Sequence, residues 1–158
     1  YTAKMVRKKI ILTIEDSTAD IIVIGLGGND AFKLNSPDVW MFQINFLIKT
    51  LKRKFPKTPI YFTNMPPIKE FPAFTNAIKF VIGNLVEILG KRLDRRVLKK
   101  ENVHYNNEVI TLKNWQKRHN LKGDVDVFFS DGVHPSKLTY QTWGKEMAQF
   151  IMNTQNFN

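Results

Sequence analysis

Ile21-Ile22-Val23-Ile24-Gly25-Leu26-Gly27-Gly28-Asn29-Asp30 is the stretch on which the fold turns. Its first six residues are nearly all apolar, rich in β-branched side chains and without alternation. Such a run suits a parallel strand buried on both faces. Gly27 and Gly28 break it sharply. In open parallel sheets, ligands bind beyond the carboxyl ends of the strands, so the turn Gly27 to Asp30 lies where a site is expected. The glycines permit positive φ and close backbone approach. An asparagine after them can aim its side-chain NH₂ into the cleft as an oxyanion donor. The same residue types also make an ordinary strand-to-helix turn, in which Asp30 caps or braces the chain.

Working outward, Thr2 is placed to cap a first helix with Ala3, Val6, Ile10 and Ile14 on one face, ended by Asp16-Ser17-Thr18. Ser36-Pro37-Asp38 starts a second helix, with proline at the first helical position and an apolar stripe of Trp40, Ile44, Leu47 and Leu51. Phe55-Pro56 closes it. A short strand follows from Pro59 to Thr63, then a proline-rich loop from Asn64 to Pro72 that excludes helix or central strand. A long amphipathic helix is expected from about Ala73 to Lys100, with interruption at Gly83 or Gly90. Val103-His104-Tyr105 reads as a weak third strand, residues 106 to 130 are poorly patterned, and Ser136 caps a last helix through Trp143 and Met147 to Ile151. Strands alternating with helices imply right-handed crossovers and a parallel sheet flanked by helices. No repeat or linker divides residues 1–158, so a single domain is expected. The chain opens on a helix where a doubly wound sheet usually opens on a strand, as though a first strand were missing.

Composition narrows the function classes. The 158 residues are 43% hydrophobic and 24% charged, ordinary values for a globular domain with a real core. No apolar run approaches the length of a transmembrane helix. There is no cysteine, which excludes disulfides and thiolate metal sites and fits a reducing compartment. No signal-peptide pattern follows Tyr1, but a leader could have been removed ahead of it, so export stays open beside the slightly favoured cytoplasm. The net charge of +10 is large and is able to attract nucleic acid, anionic lipid or acidic substrates. Its densest run, Lys91 to Lys100, keeps apolar residues at helical spacing and reads as the outer face of a packed helix. No aromatic residues interleave with it, so no specific nucleic-acid partner is expected.

A second block carries chemistry. In Ser130-Asp131-Gly132-Val133-His134-Pro135-Ser136, a carboxylate and an imidazole stand three residues apart across a glycine. A loop of that length bends the carboxylate onto Nδ1–H, fixing the tautomer and leaving Nε2 as a base. Alone, such a pair is more often surface decoration. His104 is expected to be packed and His119 to be solvated. No paired ligand spacing is present, so neither metal nor cofactor is expected. There is no phosphate-binding Gly-x-x-x-x-Gly-Lys loop and no Gly-x-Ser-x-Gly elbow.

Together these blocks resemble the SGNH/GDSL hydrolases. Gly27-Gly28-Asn29-Asp30 resembles their Gly-x-Asn-Asp block, and Asp131-Gly132-Val133-His134-Pro135-Ser136 their Asp-x-x-His block. Met65 to Phe74 is similar to the proline-rich loop of a bacterial esterase or lysophospholipase-like subgroup, and Tyr1-Thr2-Ala3 to the residues after the family's second-block glycine. The resemblance implies a three-layer flavodoxin-like α/β fold and a serine-dependent carboxylic ester hydrolase acting on a small-molecule ester. His134 would then be general base, Asp131 its orienting partner and Asn29 an oxyanion donor, with Gly27, Gly28 and Asp30 supporting the motif. The family's Gly-Asp-Ser nucleophile and oxyanion glycine are not in this chain, and both would fall before Tyr1. The native protein is therefore expected to extend roughly 30–60 residues upstream, enough for a strand, a turn and a helix. Glu15-Asp16-Ser17 mimics Gly-Asp-Ser, but Ser17 lies only 12 positions before Asn29. A parallel crossover needs a dozen or more residues between strands, so Ser17 would fall at the wrong edge of the sheet. The alternative is a non-catalytic binding domain on the same fold, with a basic surface for anionic lipid or nucleic acid. Acyl-chain preference depends on loop shape and oligomeric state on surfaces, and neither is written in these motifs.

Overall fold

β1 (Ile22–Ile24) pairs in parallel with β2 (Ile60–Phe62), and β2 in parallel with β3 (Val103–Tyr105), giving the sheet order β1-β2-β3. The computed structural model describes residues 1–15 and 18–155. Asp16 and Ser17, where the first helix was expected to stop and where the Gly-Asp-Ser mimic falls, lie outside the described residues. In register, Val23, Tyr61 and His104 form one row across the sheet. Tyr61 is fully buried and stacks on the His104 ring at 4.7 Å between centroids. Burial and the nearby Lys52 charge both lower the His104 pKa. Val23, however, is 51% exposed, which corrects the expectation of a first strand buried on both faces. Among the described residues β1 pairs with β2 alone, so the Val23 row is covered from one side only.

The described chain gathers into two compact units. The first comprises Tyr1–Pro66 and Asn84–Asn107, and contains the sheet. α1 (Ala3–Met5) is capped by Thr2, whose hydroxyl accepts from the Met5 N–H at 3.4 Å. The chain continues through a π turn (Val6–Ile10) and a 3₁₀ turn (Ile11–Thr13). The expected stripe of Ala3, Val6, Ile10 and Ile14 therefore does not hold, since Ala3 and Ile11 are buried while Ile10 is exposed. A π turn carries more residues than an α turn, which rotates the following side chains by about one position. α2 (Gly28–Phe32) follows β1 directly. α3 (Pro37–Lys54) begins where Ser36 Oγ accepts from the Val39 N–H, and its stripe of Trp40, Ile44, Leu47 and Leu51 is fully buried. Each such side chain contributes about 1.5–3 kcal/mol of burial before entropy is counted.

α4 (Asn76–Val97) contributes its second half to this unit, burying Val86, Leu89, Leu93 and Val97 at helical spacing. It runs unbroken past Gly83 and Gly90. At Gly90 a methyl group would meet Tyr105 Oη at 2.8 Å, so this glycine allows the helix to approach β3 and does not interrupt it. On the surface, Arg92 pairs with Asp38 of α3.

The second unit comprises Pro67–Gly83 and Glu108–Asn158. Its proline-rich segment forms only a 3₁₀ turn (Ile68–Glu70). Thr75 caps the start of α4 by accepting from the Ile78 N–H at 3.4 Å. The unpatterned stretch holds α5 (Leu112–His119), capped by Thr111, anchored by buried Leu112 and Trp115, and closed by Asn120 in the left-handed region. α6 (Lys137–Gln155) begins at Ser136, whose hydroxyl accepts from the Thr139 N–H at 3.4 Å. Its buried Glu146 accepts from Trp115 Nε1 at 2.7 Å and Arg118 Nη1 at 2.6 Å, and lies 2.8 Å from His119 Nε2. His119 is thus not a solvated surface histidine. α5 turns it onto a carboxylate that α6 buries. No described helix is long and apolar enough to cross a membrane.

Candidate active site

Gly27 has φ +122°, a conformation that side chains rarely adopt, and a methyl group on it would stand 2.6 Å from Met65 Sδ. A methyl on Gly28 would stand 3.1 Å from Pro66. The segments after β1 and β2 therefore meet at the carboxyl edge of the sheet, as expected for neighbouring parallel strands. Gly27 is required by its positive φ, while a side chain at Gly28 would ask Pro66 to shift by a few tenths of an ångström.

The next two residues tie this turn to the beginning of the chain. Asp30 is 1% exposed. Its Oδ2 accepts from the Ala3 N–H at 3.1 Å, and its Oδ1 from Asn35 Nδ2 at 3.3 Å. Burial raises its pKa, and these hydrogen bonds oppose the rise without cancelling it. Asp30 is accordingly a brace, one of the two roles read for it. Asn29 is exposed, and its Nδ2 donates to the Tyr1 carbonyl at 3.3 Å. An amide carries two N–H donors, so this bond engages one of them and orients the other.

Asp131 and His134 belong to the second unit, Gly27 to Asp30 to the first. Phe129 and Pro135 form an antiparallel bridge, and the Ser130 N–H donates to the His134 carbonyl at 2.8 Å, closing a tight loop. Inside it, Asp131 Oδ1 accepts from the N–H groups of Val133 at 3.0 Å and His134 at 2.7 Å. Asp131 Oδ2 is left for His134 Nδ1, 2.7 Å away. Gly132 has φ +82°, and its carbonyl accepts from the Ala73 N–H at 3.2 Å. A methyl there would stand 2.8 Å from Ala73 Cβ. Beyond the loop, Thr139 Oγ1 donates to the Phe128 carbonyl at 2.6 Å and fixes the start of α6.

A carboxylate on Nδ1 assigns the proton to that nitrogen and leaves Nε2 as an acceptor. The His134 side chain is 72% exposed, so Nε2 is accessible to a reactant. The Asp131 pKa is held down to about 2, first by the His134 backbone N–H, then by the His134 side chain and the Val133 N–H. The carboxylate is therefore charged throughout the neutral range. Ser130 and Gly132 shape this loop from within the block, and Ala73 shapes it from outside, a role that the sequence did not show. Ala73 lies far away in the chain, and its contact leaves no local pattern. Among the described residues no three His, Asp or Glu side chains gather as a metal cage.

A parallel sheet with a Gly-Gly-Asn-Asp turn at its carboxyl edge, and an Asp-x-x-His pair before the last helix, defines an α/β protein of SGNH-like fold. The GDSL-like Lipase/Acylhydrolase family profile matches residues 3–147, and the chain belongs to that family. No curated protein matches the chain. The family match reaches from α1 in the first unit to α6 in the second, and it makes the protein a hydrolase at family level.

Proposed function

We propose that the protein hydrolyses carboxylic esters of small molecules by a serine-dependent route, with His134 as general base, Asp131 as its orienting partner and Asn29 as an oxyanion donor. The observation that carries this reading is the 2.7 Å contact between His134 Nδ1 and Asp131 Oδ2 in a chain of the GDSL family. The family match over residues 3–147 spans both units and supports reading them as parts of one SGNH hydrolase-like domain. The nucleophile belongs to a Gly-Asp-Ser segment, a triplet that these residues do not contain.

In the first half-reaction the serine Oγ attacks the ester carbonyl carbon as its proton passes to His134 Nε2. The carbonyl oxygen gains the negative charge and takes a hydrogen bond from Asn29. Collapse breaks the bond to the alcohol oxygen, which receives the proton from His134. Water then attacks the acyl-enzyme, again through His134, releasing the acid and restoring the serine. Asp131 stays ionised throughout and stabilises the imidazolium.

Steady-state kinetics on a short p-nitrophenyl ester test this in protein that includes the nucleophilic serine. His134→Ala should abolish turnover with the thermal melt unchanged. Asp131→Asn should lower kcat by about 10⁴, because the histidine then takes the wrong tautomer. Full activity in either variant removes that residue from the mechanism.

A further inference from the structure

At the amino edge of the sheet, opposite the edge that carries Asn29, the first unit holds a cleft of about 870 Å³. It lies between the last turns of α3 and the segment that runs from the end of α4 into β3. Among the described residues, six cationic side chains line it, Lys49, Lys52 and Lys57 on one side and Arg96, Lys99 and Lys100 on the other, against a single carboxylate, Glu101. Cations at the ends of α3 and α4 have an ordinary reason, since they complement the negative ends of the helix dipoles. That reason does not extend to Lys57, Lys99 and Lys100, which lie beyond both helices. Nor does it favour turning six like charges onto one shared cleft, where they repel. Lys52 is held at the wall by donating to the Thr58 carbonyl at 3.0 Å.

A second feature points the same way. Asn45 lines the cleft, and its Oδ1 is buried with no hydrogen-bond partner among the described residues. Half a turn of the amide replaces that oxygen with an NH₂ group. The amide in the cleft wall thus has hydrogen-bonding capacity that the described residues do not use.

We propose that this cleft binds a compact anion carrying two or more phosphoryl groups. Multiple negative charges are needed to balance the lining, and the volume lies in the range of small-molecule sites. Five of the six cations are lysines, flexible point charges that suit phosphate better than they suit a planar carboxylate. Among the described residues no aromatic ring lines the cleft, so none of them offers a stacking platform for the bases of a nucleic acid. A soluble polyphosphate and a polyphosphorylated lipid headgroup present the same chemistry.

The test is calorimetric titration of the chain with inorganic tripolyphosphate at physiological salt. Saturable one-to-one binding is expected. Lys52→Gln/Lys99→Gln should weaken it about tenfold or more, by loss of two charge-assisted contacts. Lys113→Gln/Lys117→Gln, which removes equal charge from α5 outside the cleft, should leave it unchanged. If the first pair unfolds by circular dichroism, Lys57→Gln/Lys100→Gln provides the same reading. Sedimentation with phosphatidylcholine vesicles, with and without a bisphosphorylated inositol lipid, separates the sources. Binding that requires that lipid and is displaced by tripolyphosphate identifies a headgroup, and tripolyphosphate binding without vesicle binding identifies a soluble ligand. No saturable binding, equal weakening by the cleft and control pairs, or tighter binding to a short DNA duplex that displaces tripolyphosphate would overturn the proposal.

Discussion

The Asp30 carboxylate accepts a hydrogen bond from the backbone N–H of Ala3 at 3.1 Å, joining residues 27 positions apart. With the Asn29-to-Tyr1 bond beside it, this contact fastens the first residues of the chain to the turn at the carboxyl edge of the sheet. The turn's geometry therefore depends on a segment that the strand itself does not contain.

Asp30→Ala should cost about 2–3 kcal/mol, because the Ala3 N–H and the Asn35 amide lose a buried acceptor. Asp30→Asn should cost less, since one acceptor remains. The pKa of Asp30 is raised in the folded protein, so the native state holds a proton that the unfolded chain releases. Its contribution is fully present below the usual carboxylate pKa and is lost as pH rises through the native value. Urea melts of both proteins from pH 3 upward should show wild type losing ground to Asp30→Asn as pH rises. A constant difference rejects this linkage.

Asp131 should titrate near 2 by carboxyl NMR, and His134→Ala should raise that value only partly. The largest cause of the depression is the backbone N–H of residue 134, which alanine keeps. Any order that the ionised carboxylate gives its loop is present above the ordinary carboxylate pKa and lost as pH falls toward 2. A complete return to the ordinary value in His134→Ala would transfer the effect to the imidazole alone.

Gly132→Ala should cost about 1–3 kcal/mol, because residue 132 sits at φ +82° and the added methyl meets Ala73. Adding Ala73→Gly should recover only part of this, since the positive φ and the Ala73 backbone remain. Thermal melts of the single and double variants give the comparison. Full rescue would show that the methyl–methyl contact, and not the backbone, sets the requirement for glycine.

Asn29→Ala, in the protein bearing a Gly-Asp-Ser segment, should lower kcat by about 10²–10³, or roughly 3–4 kcal/mol, with little change in KM. The lost bond to the Tyr1 carbonyl is exposed, so the fold should survive. Kinetics on a p-nitrophenyl ester, alongside a melt, distinguish the two roles of this residue. Wild-type activity dismisses the oxyanion role, and failure to fold assigns Asn29 to the turn alone.

Sequence alone was enough for features written at short range. Ser36-Pro37 with Trp40, Ile44, Leu47 and Leu51 encodes α3 because capping and helical periodicity are local properties. Asp131 and His134 were legible as a pair because three residues of chain bring them together. Gly27 declared its turn because few other residues tolerate its positive φ. What tertiary structure decided came from partners distant in the chain. The π turn moved burial from Ile10 to Ile11, Val23 lost its cover at the sheet edge, and α5 formed where Trp115 and His119 met the buried Glu146 of α6. Gly83 and Gly90 looked like helix breaks, yet at Gly90 the missing side chain makes room for Tyr105. The six cations of the amino-edge cleft come from segments dozens of residues apart. Their convergence is a property of crossover geometry, which places the ends of α3 and α4 side by side whatever charges they carry.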